Sequence, residues 1–410
     1  MPAQTKDLTL LAAATEGLPT PYAVIDLDAF DANAADMTER AHGLPIRIAS
    51  KSLRCRALID RALAGPAPVA AADGSSSSAT SPADPAGPGF HGVLAYALRE
   101  AIWLARHSHA DVVVGYPTVD LDALTELGQD PELAAAITVM IDSRAHLDLI
   151  DRAAPLHPVR VAIDVDASLR LGPVHLGVRR SPIHSPTDAK NLAQQVARRD
   201  SVRLVGLMLY DAQIAGLPDA SPAVRAVKQA SETELAKRRA AVLAAVQPYA
   251  ELEFVNGGGT GSLHLTSVDG QLTELAGGSG LYGPTLFDSY RAFTPQPAMY
   301  FATSVVRRPS PMHATVFSGG YIASGAPGWS RVPTPVWPRK LSLLKTEGAG
   351  EVQTPLGGSR AGRLQIGDRV WFRHAKAGEA CERFDRIHLV RGDQLVDTVP
   401  TYRGEGQNFG

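Results

Sequence analysis

Lys51 is the residue of this chain best placed for covalent chemistry. It ends the extended apolar run Leu44-Pro45-Ile46-Arg47-Ile48-Ala49-Ser50, which follows a helix-like segment and, before that, the short run Tyr22-Ala23-Val24-Ile25-Asp26. An amine at the C-terminal mouth of a barrel strand is shielded from water, sheds its proton more readily and can form a Schiff base with an aldehyde. A second run of chemical interest is Val255-Asn256-Gly257-Gly258-Gly259-Thr260-Gly261-Ser262. Its three successive glycines let backbone N–H groups approach an anion closely, and the Thr260 and Ser262 hydroxyls add donors. Each feature has a plainer reading: a strand-end lysine can simply snorkel into solvent, and a glycine-rich turn can be only a turn. Both together, at strand ends of one array, point to an amine facing a phosphate cradle.

The elements that must position these groups alternate. Strand-like runs at 23–26, 47–50, 92–94, 112–115, 136–141, 159–165, 203–209 and 252–256 are separated by amphipathic stretches such as 28–42, 98–105, 143–153, 189–199 and 223–246. Eight strand-then-helix units predict a parallel α/β architecture, closed as a (β/α)8 TIM barrel over about 20–290. Barrels of this kind gather reacting groups at strand C-termini and bind phosphate after their late strands. The glycine run falls after the eighth candidate strand. Beyond residue 291 strands follow one another without long helices and with Gly and Pro turns between them, which predicts a C-terminal antiparallel β domain over 291–410. Residues 1–19 are expected to join it, as chain termini commonly pack together. The stretch 66–89, rich in Ala, Ser, Pro, Gly and Asp, has almost nothing to bury and reads as a disordered insertion in the barrel.

Composition excludes several classes of function. The 410 residues carry 45% hydrophobic and 20% charged side chains and a formal charge of −2, the profile of a soluble globular protein with no electrostatic case for nucleic acid or an anionic membrane. No apolar stretch is long enough to span a bilayer. The N-terminus lacks a signal-peptide pattern, and two distant cysteines, Cys55 and Cys381, fit a reducing compartment. The expected location is the cytoplasm.

The opening Thr20-Pro21-Tyr22…Asp26-Leu27-Asp28…Ile48-Ala49-Ser50-Lys51 resembles that of the alanine-racemase-like, fold-type III pyridoxal phosphate (PLP) enzymes, and most closely their D-threonine aldolase and D-serine dehydratase branch. The resemblance runs to the closing Val396-Asp397-Thr398-Val399-Pro400-Thr401-Tyr402-Arg403-Gly404. It implies that Lys51 carries PLP and that Gly257, Gly258, Gly259 and Thr260 hold the phosphate. Ser279, Gly280 and Tyr282, in a segment similar to the family's "E-x-x-x-G-S/N-Y", would complete that cradle. Asp164-Val165-Asp166-Ala167-Ser168-Leu169-Arg170-Leu171-Gly172 resembles the family's "D-x-G-x-x-R-x-G", which would bring Arg170 to the cofactor ring. Tyr210 occupies a place where relatives put a ring-stacking group, and Gln213 would reach substrate; the relatives' "G-H" ending is here Ala212-Gln213. The segment ending in His374 resembles the approach to a metal site. Relatives place the second ligand two residues on, where this chain has Lys376, so Cys381, or Glu379 as its rival, would have to partner His374. Thiolate suits Zn2+, and carboxylate suits Mn2+ or Mg2+.

The activity implied is that of a PLP-dependent lyase on D-β-hydroxy amino acids, by retro-aldol cleavage or by dehydration and deamination, with a divalent metal on the β-hydroxyl. A homodimer acting on a small amino acid is expected. One alternative is an amino acid racemase, which would need a second base such as Tyr321. The other is a non-catalytic PLP carrier of the single-barrel type, against which the long segment after Arg291 counts.

Overall fold

The computed structural model describes residues 7–65 and 88–410, so all but the last two residues of the 66–89 insertion lie outside it. The described residues fall into two compact units, one lying within Met1–Asp36, Lys51–Arg61 and Ser279–Asn408, the other within Met37–Ser50, Ala62–Gly278 and Phe409–Gly410.

The first strand, β1 (Tyr22–Asp26), is not a barrel strand. The closed barrel is built in chain order from β2 (Ile46–Ala49), β3 (Phe90–Ala95), β4 (Val112–Val114), β5 (Ile137–Ile141), β6 (Val159–Asp164), β7 (Val202–Leu209), β8 (Phe254–Gly257) and β9 (Glu274–Gly277). Every pairing is parallel, and β9 closes the ring on β2 with Ala276 opposite Arg47. The architecture is the expected one, but the strands are shifted. The run 23–26 drops out, β9 takes the eighth place, and the glycine run follows the seventh barrel strand rather than the eighth. Such strands are buried on both faces, as β5 is throughout, which favours the apolar Ile-Thr-Val-Met-Ile type of run over alternation. Val113, Met140, Ala162, Val205, Met208 and Phe254 pack together as one core cluster of this unit.

Near the N-terminal ends of the strands the barrel holds a polar plug. Arg47 on β2 is only 2% exposed and grips Glu274, the first residue of β9, through Nε at 2.8 Å and a terminal nitrogen at 2.7 Å. Asp111 accepts from its other terminal nitrogen at 2.8 Å, and Asn256 Nδ2 donates to Glu274 at 2.8 Å. Burial alone would raise the Glu274 carboxyl; the Arg47 guanidinium outweighs it and holds the group at about 2. A fully hydrogen-bonded charge pair of this kind is tolerated where a lone charge would not be.

The other unit is a mixed, mostly antiparallel sheet. Its strands include β1, β10 (Met299–Ser310), β11 (His313–Phe317), β12 (Gln353–Gly357), β13 (Arg369–Arg373), β14 (Arg386–Arg391) and β15 (Gln394–Pro400). β1 pairs antiparallel with β10 and parallel with β14. Leu8, Leu11, Tyr22, Tyr300 and Trp371 share its core, and Phe301 stacks on Phe372 at 5.1 Å across the β10–β13 pair. Among the described residues no helix is long and apolar enough to cross a membrane.

Candidate active site

Within the barrel unit, groups for binding and proton chemistry collect at the C-terminal strand ends. Gly257 is the buried last residue of β8, and Gly258 follows with φ +74°, a left-handed conformation that a side chain would strain. The loop then folds on itself: Gly259 N–H donates to Ser262 Oγ at 3.0 Å, and Ser262 N–H to the Gly259 carbonyl at 2.8 Å. Asp211, fully buried, accepts from Thr266 Oγ1 at 2.9 Å and Ser262 Oγ at 3.3 Å and so pins the loop from below. Arg40 donates to the carbonyl of the buried Thr260 at 2.9 Å. Among the described residues the backbone N–H groups of Gly258 and Gly261 have no hydrogen-bond acceptor. A turn that ties down the Gly259 and Thr260 carbonyls and leaves the Gly258 and Gly261 N–H groups available suits an anion, so these residues fit the phosphate of PLP.

Tyr210 directly follows β7, and its ring edge lies beside Gly259. Burial first, then the Asp211 carboxylate, pushes its phenol up to about 12, so it stays protonated. Arg170 is 42% exposed and ion-pairs with Asp166 at 2.5 Å, while Asp166 also accepts from Ser168 Oγ at 2.7 Å. Gln213 is buried in the short helix Ala212–Ala215; its Nε2 donates to the Ala167 carbonyl at 2.6 Å, and its Oε1 has no partner.

Sequence reasoning missed the next group. Asp164 is the last residue of β6, Asp142 follows β5, Tyr116 lies two residues past β4, and these strands with β7 are consecutive around the barrel. The Arg180 guanidinium sits 5.4 Å from the Tyr210 ring centre and 5.5 Å from that of Tyr116. Burial, with the Asp142 carboxylate next, raises Asp164 to about 7, against the opposing pull of Arg180 and with a further push from Asp166. The folded protein therefore holds a proton here that the unfolded chain releases near 3.8, and stability falls as pH rises through that window. Asp164→Asn should stabilise the protein progressively more as pH rises from 4 to 7, with no further gain above. Melting temperatures of both proteins across that range check this; a pH-independent difference would show that Asp164 titrates normally.

In the other unit, Lys51 lies on the turn Ser50–Ser52 that follows β2, and its side chain is exposed. Gly378, at φ +96°, packs so tightly on this turn that a Cβ would collide with the Lys51 carbonyl oxygen. Ser279 and Gly280 open the helical turn Ser279–Tyr282 that follows Gly278, and the buried Tyr282 hydroxyl donates to the Leu53 carbonyl at 2.8 Å. The His374 ring meets Tyr282 edge-on at 6.1 Å, and Cys381 Sγ lies 3.9 Å from the Tyr282 hydroxyl. Burial, then Arg373, lowers His374 to about 3, so its imidazole is neutral; burial pushes the Cys381 thiol well up. The Glu379 carboxylate accepts from the Ser324 N–H at 2.7 Å, and Lys376 Nζ donates to Ser324 Oγ at 3.0 Å. Among the described residues no three His, Cys, Asp or Glu side chains are grouped as a metal requires. His374 and Cys381 both lie against Tyr282, while Glu379 is engaged by Ser324. Tyr321 packs against Phe301 and Phe384 and accepts from Ser318 Oγ at 2.8 Å.

No family model matches the chain. A D-threonine aldolase of Arthrobacter sp. is 25% identical over 315 residues, 73% of this chain and 71% of the relative. Among solved structures, D-threonine aldolase from Filomicrobium marinum superposes with a TM-score of 0.74 at 21% identity, covering 94% of this chain and 95% of that one. D-threo-3-hydroxyaspartate dehydratase from Delftia sp. HT23 does so at 0.69 and 17% identity, covering 94% and 98%. Alanine racemase from Corynebacterium glutamicum gives 0.55 at 16% identity over 86% and 90%.

Proposed function

Because the chain is a homologue of D-threonine aldolase with the architecture of the fold-type III PLP enzymes, we propose that it is a PLP-dependent lyase of D-β-hydroxy amino acids. The observation that carries this reading is the loop after β8, whose unpaired Gly258 and Gly261 N–H groups offer a phosphate seat at a barrel strand's C-terminal end. Bound PLP would supply an electron sink that lets a bond at the amino acid α-carbon break.

The chain's own residues supply the rest. Gly257, Gly258, Gly259 and Thr260 would hold the phosphate, to which the resemblance adds Ser279 and Gly280. Lys51 carries the cofactor and then moves the proton at the substrate α-carbon. Tyr210 offers a protonated phenol and a ring face to the pyridine. Arg170, as a permanent cation, favours a negative cofactor oxygen. Tyr282 holds the Leu53 backbone two residues beyond Lys51, and the unpaired Gln213 Oε1 accepts from substrate. Loss of the β-hydroxyl proton with Cα–Cβ cleavage gives glycine and an aldehyde. Loss of the α-proton with departure of the β-hydroxyl gives ammonia and a keto acid. The resemblance implies a divalent metal on that hydroxyl, for which the neutral His374 imidazole, with Cys381 or Glu379, would supply donors; no step is assigned to it. A homodimer and a cytoplasmic location complete the reading; the buried free thiols of Cys55 and Cys381 fit a reducing compartment.

Incubating the purified protein with PLP, a divalent metal and D-threonine or D-serine should yield one of these two product sets. Inverted amino acid as the sole product would replace the lyase reading with a racemase.

A further inference from the structure

We propose that Arg180 is the residue that recognises the substrate α-carboxylate. This rests on the barrel mouth being the site of the PLP chemistry, and it assigns a role to a residue outside every motif read from the sequence. Arg180 comes from the segment between the hairpin Leu169–Leu171/Val174–Leu176 and the helix Pro186–Val196. The central carbon of its guanidinium lies over two aromatic rings, 5.4 Å from the centre of Tyr210 and 5.5 Å from that of Tyr116, which lie just past the C-terminal ends of β7 and β4. Ring faces attract the cation without using its N–H groups. Among the described residues Arg180 makes no hydrogen bond and no ion pair, so its donor fork stays open.

The contrast with its neighbours carries the assignment. Arg170 is ion-paired with Asp166 through one terminal nitrogen, and Arg238 is spent on Glu234 and the carbonyls of Asp166 and Ser168. The Asp164 carboxyl, at the end of β6, does not claim Arg180 either: it feels its charge without bonding to it. Arg180 is thus an oriented, unspent cation next to Tyr210, whose ring abuts the Gly259 loop. Every amino acid substrate brings a carboxylate, and a planar guanidinium fork matches one by two parallel N–H···O bonds.

Ligand binding to the holoenzyme, read as the change in its visible absorbance, tests the assignment with D-threonine and D-threoninamide, which differ only at the carboxyl. Wild type should bind the acid more tightly than the amide. Arg180→Leu should weaken D-threonine by about ten- to a hundredfold while leaving D-threoninamide and PLP affinity unchanged; Arg180→Lys, which keeps the charge and loses the fork, should fall between. Three results would overturn the proposal: no preference for the acid in wild type, undiminished D-threonine binding in Arg180→Leu, or an equal loss for acid and amide. The outcome is separable from the lyase reading, since a wild type that discriminates the acid but forms no lyase product sinks only the latter.

Discussion

Lys51→Ala should yield a folded protein that has lost all turnover. The side chain is exposed on a three-residue turn, and substitutions at such positions change stability by no more than about 0.5 kcal/mol. The chemistry has no such tolerance. The same amine is asked to carry the cofactor and to move the α-proton, and the proton transfer alone is worth about 10²–10⁴-fold. Activity should therefore fall below detection while the melting temperature of the cofactor-free protein stays where it was. The visible band of the cofactor-loaded protein should vanish with it. Residual turnover at more than a hundredth of the wild-type rate would mean that another group moves the proton.

The largest stability effect is expected at the other end of the same strand. Glu274→Ala leaves Arg47, 2% exposed, with only the half-exposed Asp111 and a weak contact to His91. Removing one partner of a buried charge pair costs about 3–5 kcal/mol, because the survivor keeps its desolvation penalty. Arg47 and Glu274 lie on β2 and β9, the pair that closes the barrel, so the loss falls on the strand that runs into Lys51. The pH dependence fixes the sign. Glu274 is held at about 2 against an ordinary 4.5, so its contribution is full above 4.5 and is lost as pH falls toward 2. Melting curves should show the variant well below wild type at neutral pH, the two converging with acid. Equal melting temperatures at pH 7 would show that the plug contributes nothing.

The parallel barrel and the following strand-rich sheet were legible in the sequence because strand-then-helix alternation, and then its absence, leave strong periodic signals. The membership of individual strands was not. β1 is buried along its whole length, just as a barrel strand is, because it lies between β10 and β14; an apolar run says that a strand is covered, not by what. β9 escaped for the opposite reason. Glu-Leu-Ala-Gly has a charge at its head and no β-branched residue, and Arg47, His91 and Asn256, all far away in sequence, make that charge acceptable in a barrel interior. Lys51 and the glycine run were found through backbone demands written locally. Arg180, Asp142 and Asp164 were not, since loop and strand-end residues acquire meaning only when four strand ends are brought side by side. The partner of His374 was not legible at the same level. The spacing of His374, Glu379 and Cys381 invited a site, but Tyr282 lies against both His374 and Cys381, and Ser324 engages Glu379.

The central claim is that Lys51 carries PLP in this chain. Borohydride reduction of the cofactor-loaded wild-type protein, followed by peptide mass mapping, tests it directly. The pyridoxyl mass should appear on the peptide containing Lys51 and on no other; its appearance on a different lysine, or on none, would contradict the assignment.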